Sequence, residues 1–245
     1  MQDTKKAIIS ELQKNILLMQ GYKPASLGSA NRFGLGSIEA AFPNGVFPTG
    51  AIHEFLNMAP EHSAAAGGFI AGLLKALMRQ DGICLWIGTM RSIYPPALKN
   101  FGIAPDRIVF IDLQREKDVL WVMEEALRCE GLSAVIAEVR ELDFAQSRRL
   151  QLAVEQSRVT GFVLRNDPLK IKPTACVARW KITPAQSELQ DGLPGVGFPR
   201  WTVELQKVRN GNPGIWKVEW SEGGFNLVTE NNQEAALVKD RQKVG

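Results

Sequence analysis

Two histidines and three cysteines are all that the 245 residues contain of these types, and each scarcity excludes some chemistry. With only His53 and His62, and with no CxxC and no HExxH, the ligands of a zinc site are missing. The same two histidines support no Ser-His-Asp grouping at local spacing. Cys84, Cys129 and Cys176 are odd in number, far apart and set in apolar surroundings, which predicts buried reduced thiols rather than a disulfide frame. No run of 18 apolar residues occurs. The start "MQDTKKAIISELQKN" has neither the apolar stretch nor the small-residue cleavage site of a secretory signal, so a cytoplasmic chain with no membrane partner is expected. An excess of one charge is lacking too. Lys and Arg number 29 against 26 Asp and Glu, leaving +3, too slight to argue for nucleic acid from composition alone.

What is present is ordinary for a globular protein: 45% hydrophobic and 22% charged residues, in a length that suits one large domain with added arms. Residues 1–21 read as an N-terminal helical arm, because Ile8, Leu12, Ile16 and Met19 fall at helical spacing and form one apolar face. That face demands burial. An arm packed on a partner and an arm folded back on its own core satisfy the demand equally. Residues 22–34 punctuate with Gly, Pro and Ser and read as a linker. Residues 35–228 form the core domain, and the polar stretch 229–245 reads as a frayed tail, a second candidate for ordering on a partner.

Within the core, strands and helices alternate. "AIHEFLN" predicts a strand, Ala65 to Gln80 a helix, and "ICLWIGT", "IVFID", "LSAVIAEV" and "TGFVLRN" further strands, with helices from Lys117 to Arg128 and from Phe144 to Ser157. Near-continuous apolar strands at this spacing predict an α/β fold with a mainly parallel sheet covered on both faces. The later segments "ACVARWKITPA", "RWTVELQKVRNG" and "GIWKVEWSEGGFNLV" alternate apolar with polar residues and carry the turn signal Asn210-Gly211, so they predict antiparallel strands along one edge.

The stretch "LGSIEAAFPNGVFPTGAIHEF" resembles the opening of the RecA core, and the resemblance runs on to about residue 228. More narrowly, "AVIAEVRELDFAQSRRLQLAVEQSRVTGFVLR", "ARWKITPA" and "PRWTVELQKVRNGNPGIWKVEW" resemble the ImuA family of RecA-like bacterial proteins. That resemblance implies a role in SOS-induced, error-prone translesion DNA synthesis near the nucleoid. The partners it implies are ImuB, an inactive relative of Y-family polymerases, and an error-prone homologue of the replicative polymerase. By analogy with RecA, the arm at Ile8, Leu12, Ile16 and Met19 is a candidate for partner contact or self-association.

An NTP site needs backbone N–H groups at a helix N-terminus, a lysine on the β- and γ-phosphates and a hydroxyl for magnesium. On the resemblance, the phosphate loop falls near Ala66, Gly67 and Gly68, where lysine and hydroxyl are both missing. The metal-holding acid falls on Glu138, the water-activating position near Met90, and the phosphate sensor on Asn166. These losses predict a pseudo-ATPase with no cofactor, neither ATP nor magnesium. Two competing expectations are an atypical DNA-dependent ATPase using Lys75, about two helical turns or ~10 Å beyond the loop, and a SulA-like inhibitor binding the division protein FtsZ.

For single-stranded DNA, the candidate contacts are Arg140, Arg148, Arg149, Arg165, Lys170 and Lys172, with Arg158, Arg179 and Lys181 nearby; such contacts would weaken with salt. Interleaved acids make a solvated surface an equal reading. Trp180, Trp201, Trp216 and Trp220 are expected mostly in packing rather than in base stacking, and His53 as a satisfied near-core residue.

Overall fold

Strands buried on both faces must be apolar at successive positions, and β1 (Ile52–Asn57), β4 (Leu132–Val139) and β5 (Thr160–Asn166) are built this way. In the computed structural model, which describes residues 11–12, 33–78, 82–90, 93–187 and 197–228, they form the centre of a nine-stranded sheet. The remaining strands are β2 (Ile83–Gly88), β3 (Ile108–Asp112), β6 (Ala178–Ala185), β7 (Arg200–Val208), β8 (Gly214–Ser221) and β9 (Gly224–Leu227). The order is β3-β2-β4-β5-β1-β6-β7-β8-β9. β6 departs from its expected antiparallel setting: it pairs parallel with β1 and antiparallel with β7, so it is the strand on which the sheet changes sense.

Among the described residues, three α-helices cover the sheet: α1 (Pro60–Met78), α2 (Glu116–Leu127) and α3 (Phe144–Ser157). The two-residue period of each strand divides the core between the faces. Ala134, Ile136, Phe162 and Leu164 face the α1 side, with Phe69 and Trp180. Val135, Ala137 and Val163 face the α2 and α3 side, with Met123 and Leu150. α3 starts where expected because Asp143 and Gln146 form a reciprocal capping box. Phe33, expected in the linker, is instead 8% exposed and packs on Phe47 at 4.6 Å between ring centroids. Of the cysteines, Cys84 and Cys176 are buried as expected, whereas Cys129 is exposed beyond the end of α2; all three are free. Among the described residues, no helix is long and apolar enough to cross a membrane.

Packing claims three of the four tryptophans of the antiparallel region. Trp180, Trp201 and Trp220 are at most 5% exposed. His53 is fully buried, stacked on Phe47 at 4.6 Å with an interplanar angle of 3°. Its Nε2–H donates to Pro48 O at 2.8 Å, and its Nδ1 accepts from Trp180 Nε1–H at 3.3 Å. These two bonds assign the neutral tautomer. Burial lowers the imidazole pKa from 6.5 to about 4, against a smaller opposing effect of the Pro48 carbonyl. The unfolded chain therefore binds the extra proton first as pH falls. The contribution of neutral His53 is fully present above pH 6.5 and is lost between there and about pH 4. Urea midpoints taken from pH 7 to pH 4 should fall across that window, and less so in His53→Gln.

Candidate functional site

In open α/β sheets, ligands meet the carboxyl ends of the parallel strands. Here β1 ends at Asn57, and only Met58 and Ala59 separate it from α1, which begins at Pro60. Proline suits a first helical position because its fixed φ matches the helix and its missing N–H would lack a helical partner there anyway. His62 N–H and Ser63 N–H already bond Ala59 O, at 3.0 and 3.3 Å. The helix thus starts about one and a half turns earlier than expected, and this corrects the location of the degenerate loop. Ala66, Gly67 and Gly68 lie inside α1. Helix-interior N–H groups are bonded to carbonyls four residues back and cannot converge on a phosphate. The glycine at 68 serves packing: a Cβ there would meet the Trp201 ring at 3.0 Å and the Phe101 ring at 3.4 Å.

The space where a phosphate cradle would open is crossed by side-chain bonds. Trp86 Nε1–H, from β2, donates to Glu138 Oε1 at 2.6 Å, and Asn166 Nδ2, from β5, donates to Glu138 Oε2 at 3.2 Å. With its amide nitrogen so directed, Asn166 turns its Oδ1 to Asn57 Nδ2 at 2.8 Å and to Ser63 Oγ at 2.9 Å. Glu138, which is 7% exposed, therefore orients Asn166, and Asn166 orients Asn57 and Ser63. Asn57 is 1% exposed and its Oδ1 is left without a hydrogen-bond partner, as is the buried Nδ1 of His62. The unsatisfied amide atom is an acceptor. A triphosphate consists of acceptors as well, and the Asn57 amide and Ser63 hydroxyl that could donate to it are committed to Asn166, so these side chains do not fit one. Among the described residues, no group of three His, Cys, Asp or Glu side chains is placed to hold a metal ion.

The remaining positions expected of a nucleotide site lie elsewhere. Met90 is 80% exposed. Lys75 sits far along α1, its Nζ donating to Gly223 O at 2.6 Å and lying 5.7 Å from the centre of the Trp220 ring. The lysine of the competing ATPase reading is thus committed to the β8–β9 turn.

The six candidate DNA contacts separate into three groups. Arg165 is fully buried, which removes it from any contact with DNA. Its guanidinium bonds Glu54 at 3.4 Å and Lys170 O at 2.9 Å, and lies 3.6 Å from Glu141. Glu54, also fully buried, further accepts from Arg179 Nε at 2.9 Å and from the Thr174 hydroxyl. Arg140, Arg148 and Arg149 are exposed but face Asp167 at 3.1 Å, Glu155 at 3.5 Å and Glu124 at 2.5 Å. Lys170 and Lys172 alone are exposed with no ammonium partner among the described residues. Arg158 is the left-handed C-cap of α3, with φ 64°. Of the expected partner face, Leu12 is helical and 55% exposed, whereas Ile8, Ile16 and Met19 lie outside the described residues, as does the tail 229–245.

The sequence reading missed the ion network around Glu54. Its signal was a carboxylate in "AIHEFLN" and an arginine in "TGFVLRN", charges within strands expected to be covered on both faces. Asn57 and Ser63 gave no signal beyond their places at a strand end and in a first helical turn.

No protein-family model matches the chain. It is 33% identical over 215 residues to Protein ImuA of Caulobacter vibrioides, in both strain NA1000 / CB15N and strain ATCC 19089 / CIP 103742 / CB 15. The match spans 81% of this chain and 88% of that protein. The crystal structure of the RadB recombinase superposes with a TM-score of 0.55 over 81% of this chain and 100% of that one. At 13% identity this is a likeness of fold.

Proposed function

Because the chain belongs to the ImuA family, with a role in the ImuA/ImuB mutagenic response to DNA damage, we propose that it acts there as a noncatalytic RecA-like assembly factor. In this reading it is induced with the SOS response and joins an ImuB-like protein to an error-prone replicative-type polymerase. The observation that carries the noncatalytic part is the Ser63–Asn166–Glu138–Trp86 network above a two-residue β1–α1 connection. A nucleotide enzyme keeps that space open and lined with donors. This chain fills it with its own side chains and leaves an acceptor unsatisfied.

DNA enters this reading through the partners. Of the candidate contacts, Lys170 and Lys172 are those with uncommitted charges, and two phosphate contacts on a single strand give a log–log salt slope of only about −1.4. Calorimetry of the full chain should show no magnesium-dependent heat with ATP. Titration with an oligo-dT strand at two salt concentrations should show binding no steeper in salt than that slope, while the ImuB-like protein is captured in both salts. DNA-stimulated phosphate release that disappears in Glu138→Gln would establish the ATPase reading instead.

A further inference from the structure

Beyond that reading, and resting on it only for the view that the chain works by holding other proteins, we infer that the segment 167–173 is a preformed docking ridge for an extended protein segment carrying carboxylates among aliphatic side chains. The segment follows β5, in sequence Asp-Pro-Leu-Lys-Ile-Lys-Pro. Leu169 is 71% and Ile171 51% exposed, between the exposed Lys170 and Lys172. Where such side chains lie on mobile chain, ordering them on a partner costs free energy. Here the backbone is already fixed. Asp167 N–H bonds Asn57 O at 2.7 Å, Leu169 N–H bonds Glu141 Oε1 at 2.7 Å, Arg165 takes Lys170 O at 2.9 Å and Arg179 takes Lys172 O at 2.7 Å. The carbonyls of residues 170 and 172 both turn inward, the two-residue period of extended chain. Ile171, between them, has no backbone bond among the described residues, and offers its N–H and C=O as an open edge of the kind that binds peptides by strand addition.

Charge selects the occupant. In the network beneath the ridge, Arg140, Arg165 and Arg179 face Asp167, Glu141 and Glu54, so the two lysines remain as its uncompensated charge. Single-stranded DNA also seeks cations, but sequence-tolerant grip on a strand relies on aromatic platforms for its bases. The ridge has none. Leu169 and Ile171 instead match aliphatic side chains, and Lys170 and Lys172 match the carboxylates beside them.

The test is selection of a displayed random-peptide library on the immobilised full chain, followed by affinity measurements against two double variants, Leu169→Ser with Ile171→Ser and Lys170→Glu with Lys172→Glu. All four side chains are exposed, so thermal melting should be unchanged. The expected result is enrichment of peptides that interleave Asp or Glu with Leu, Ile or Val, each weakened about tenfold or more by either variant. No enrichment, or peptides held by both variants as tightly as by the parent chain, overturns the inference. So does an oligo-dT strand whose binding is lost in the variants while peptide binding is not. Heat from ATP with magnesium would sink the noncatalytic reading and leave the ridge standing, so the two failures are distinguishable.

Discussion

Replacing Arg165 by alanine should destabilise the protein by about 3–5 kcal/mol, the usual cost of leaving a buried charge without its partner. Glu54 would keep Arg179 and Thr174 but lose the guanidinium 3.4 Å away, and Glu141 would lose a neighbour at 3.6 Å. The carbonyl of Lys170 would lose its donor too, so the chain after β5 should loosen with the core. Urea unfolding of the variant beside Lys170→Ala and Lys172→Ala checks this: those two exposed substitutions should stay within about 0.5 kcal/mol of the parent. An Arg165→Ala protein as stable as the parent but weaker on DNA would restore the arginine to the set of phosphate contacts and sink the structural assignment.

Trp180→Ala should be as severe, about 3–5 kcal/mol. Its ring lies within 5.7 to 6.4 Å, centroid to centroid, of Phe42, Phe47, His53, Phe55 and Phe69, which come from the segment before β1, from β1 itself and from α1. Removing it opens a cavity where three elements meet. Trp180→Phe separates the two contributions. It keeps most of the ring but takes the donor from His53 Nδ1, which should cost about 1–3 kcal/mol for the unsatisfied buried nitrogen. Equal losses in the two variants would mean that the hydrogen bond, and not the packing, carries the effect.

How far these features could be read from sequence depends on the range of the interaction behind each. β4 and β5 and the helix from Phe144 to Ser157 lie within their predicted segments, because apolar runs and a capping box are local signals. The phosphate loop was misplaced into α1 because Gly67 and Gly68 look like loop residues until the partner is known. Gly68 is small for the ring of Trp201, and Gly72 is small for Phe225, whose ring would lie 2.4 Å from an added Cβ. Nothing within a helical window reveals a neighbour more than 130 positions away. The β8–β9 turn was missed for another reason: Glu222 and Gly223 both take positive φ, 55° and 71°, and glutamate is an unusual residue for that conformation. The buried arginine was misplaced because charge is read as exposed by default. Only the register that sets Glu54 opposite Arg179 and two residues from the partner of Arg165 shows why it is inside.

Helix α1 lies over the place where the sheet changes sense. Phe69 touches Trp180 of β6, Trp201 of β7 and Phe225 of β9, while Lys75 fastens the hairpin beyond. Ser63 ties the first turn of the same helix to Asn166. On the proposed reading, a helix moored at both ends suits a platform, where the signal is which partner has docked rather than a stroke.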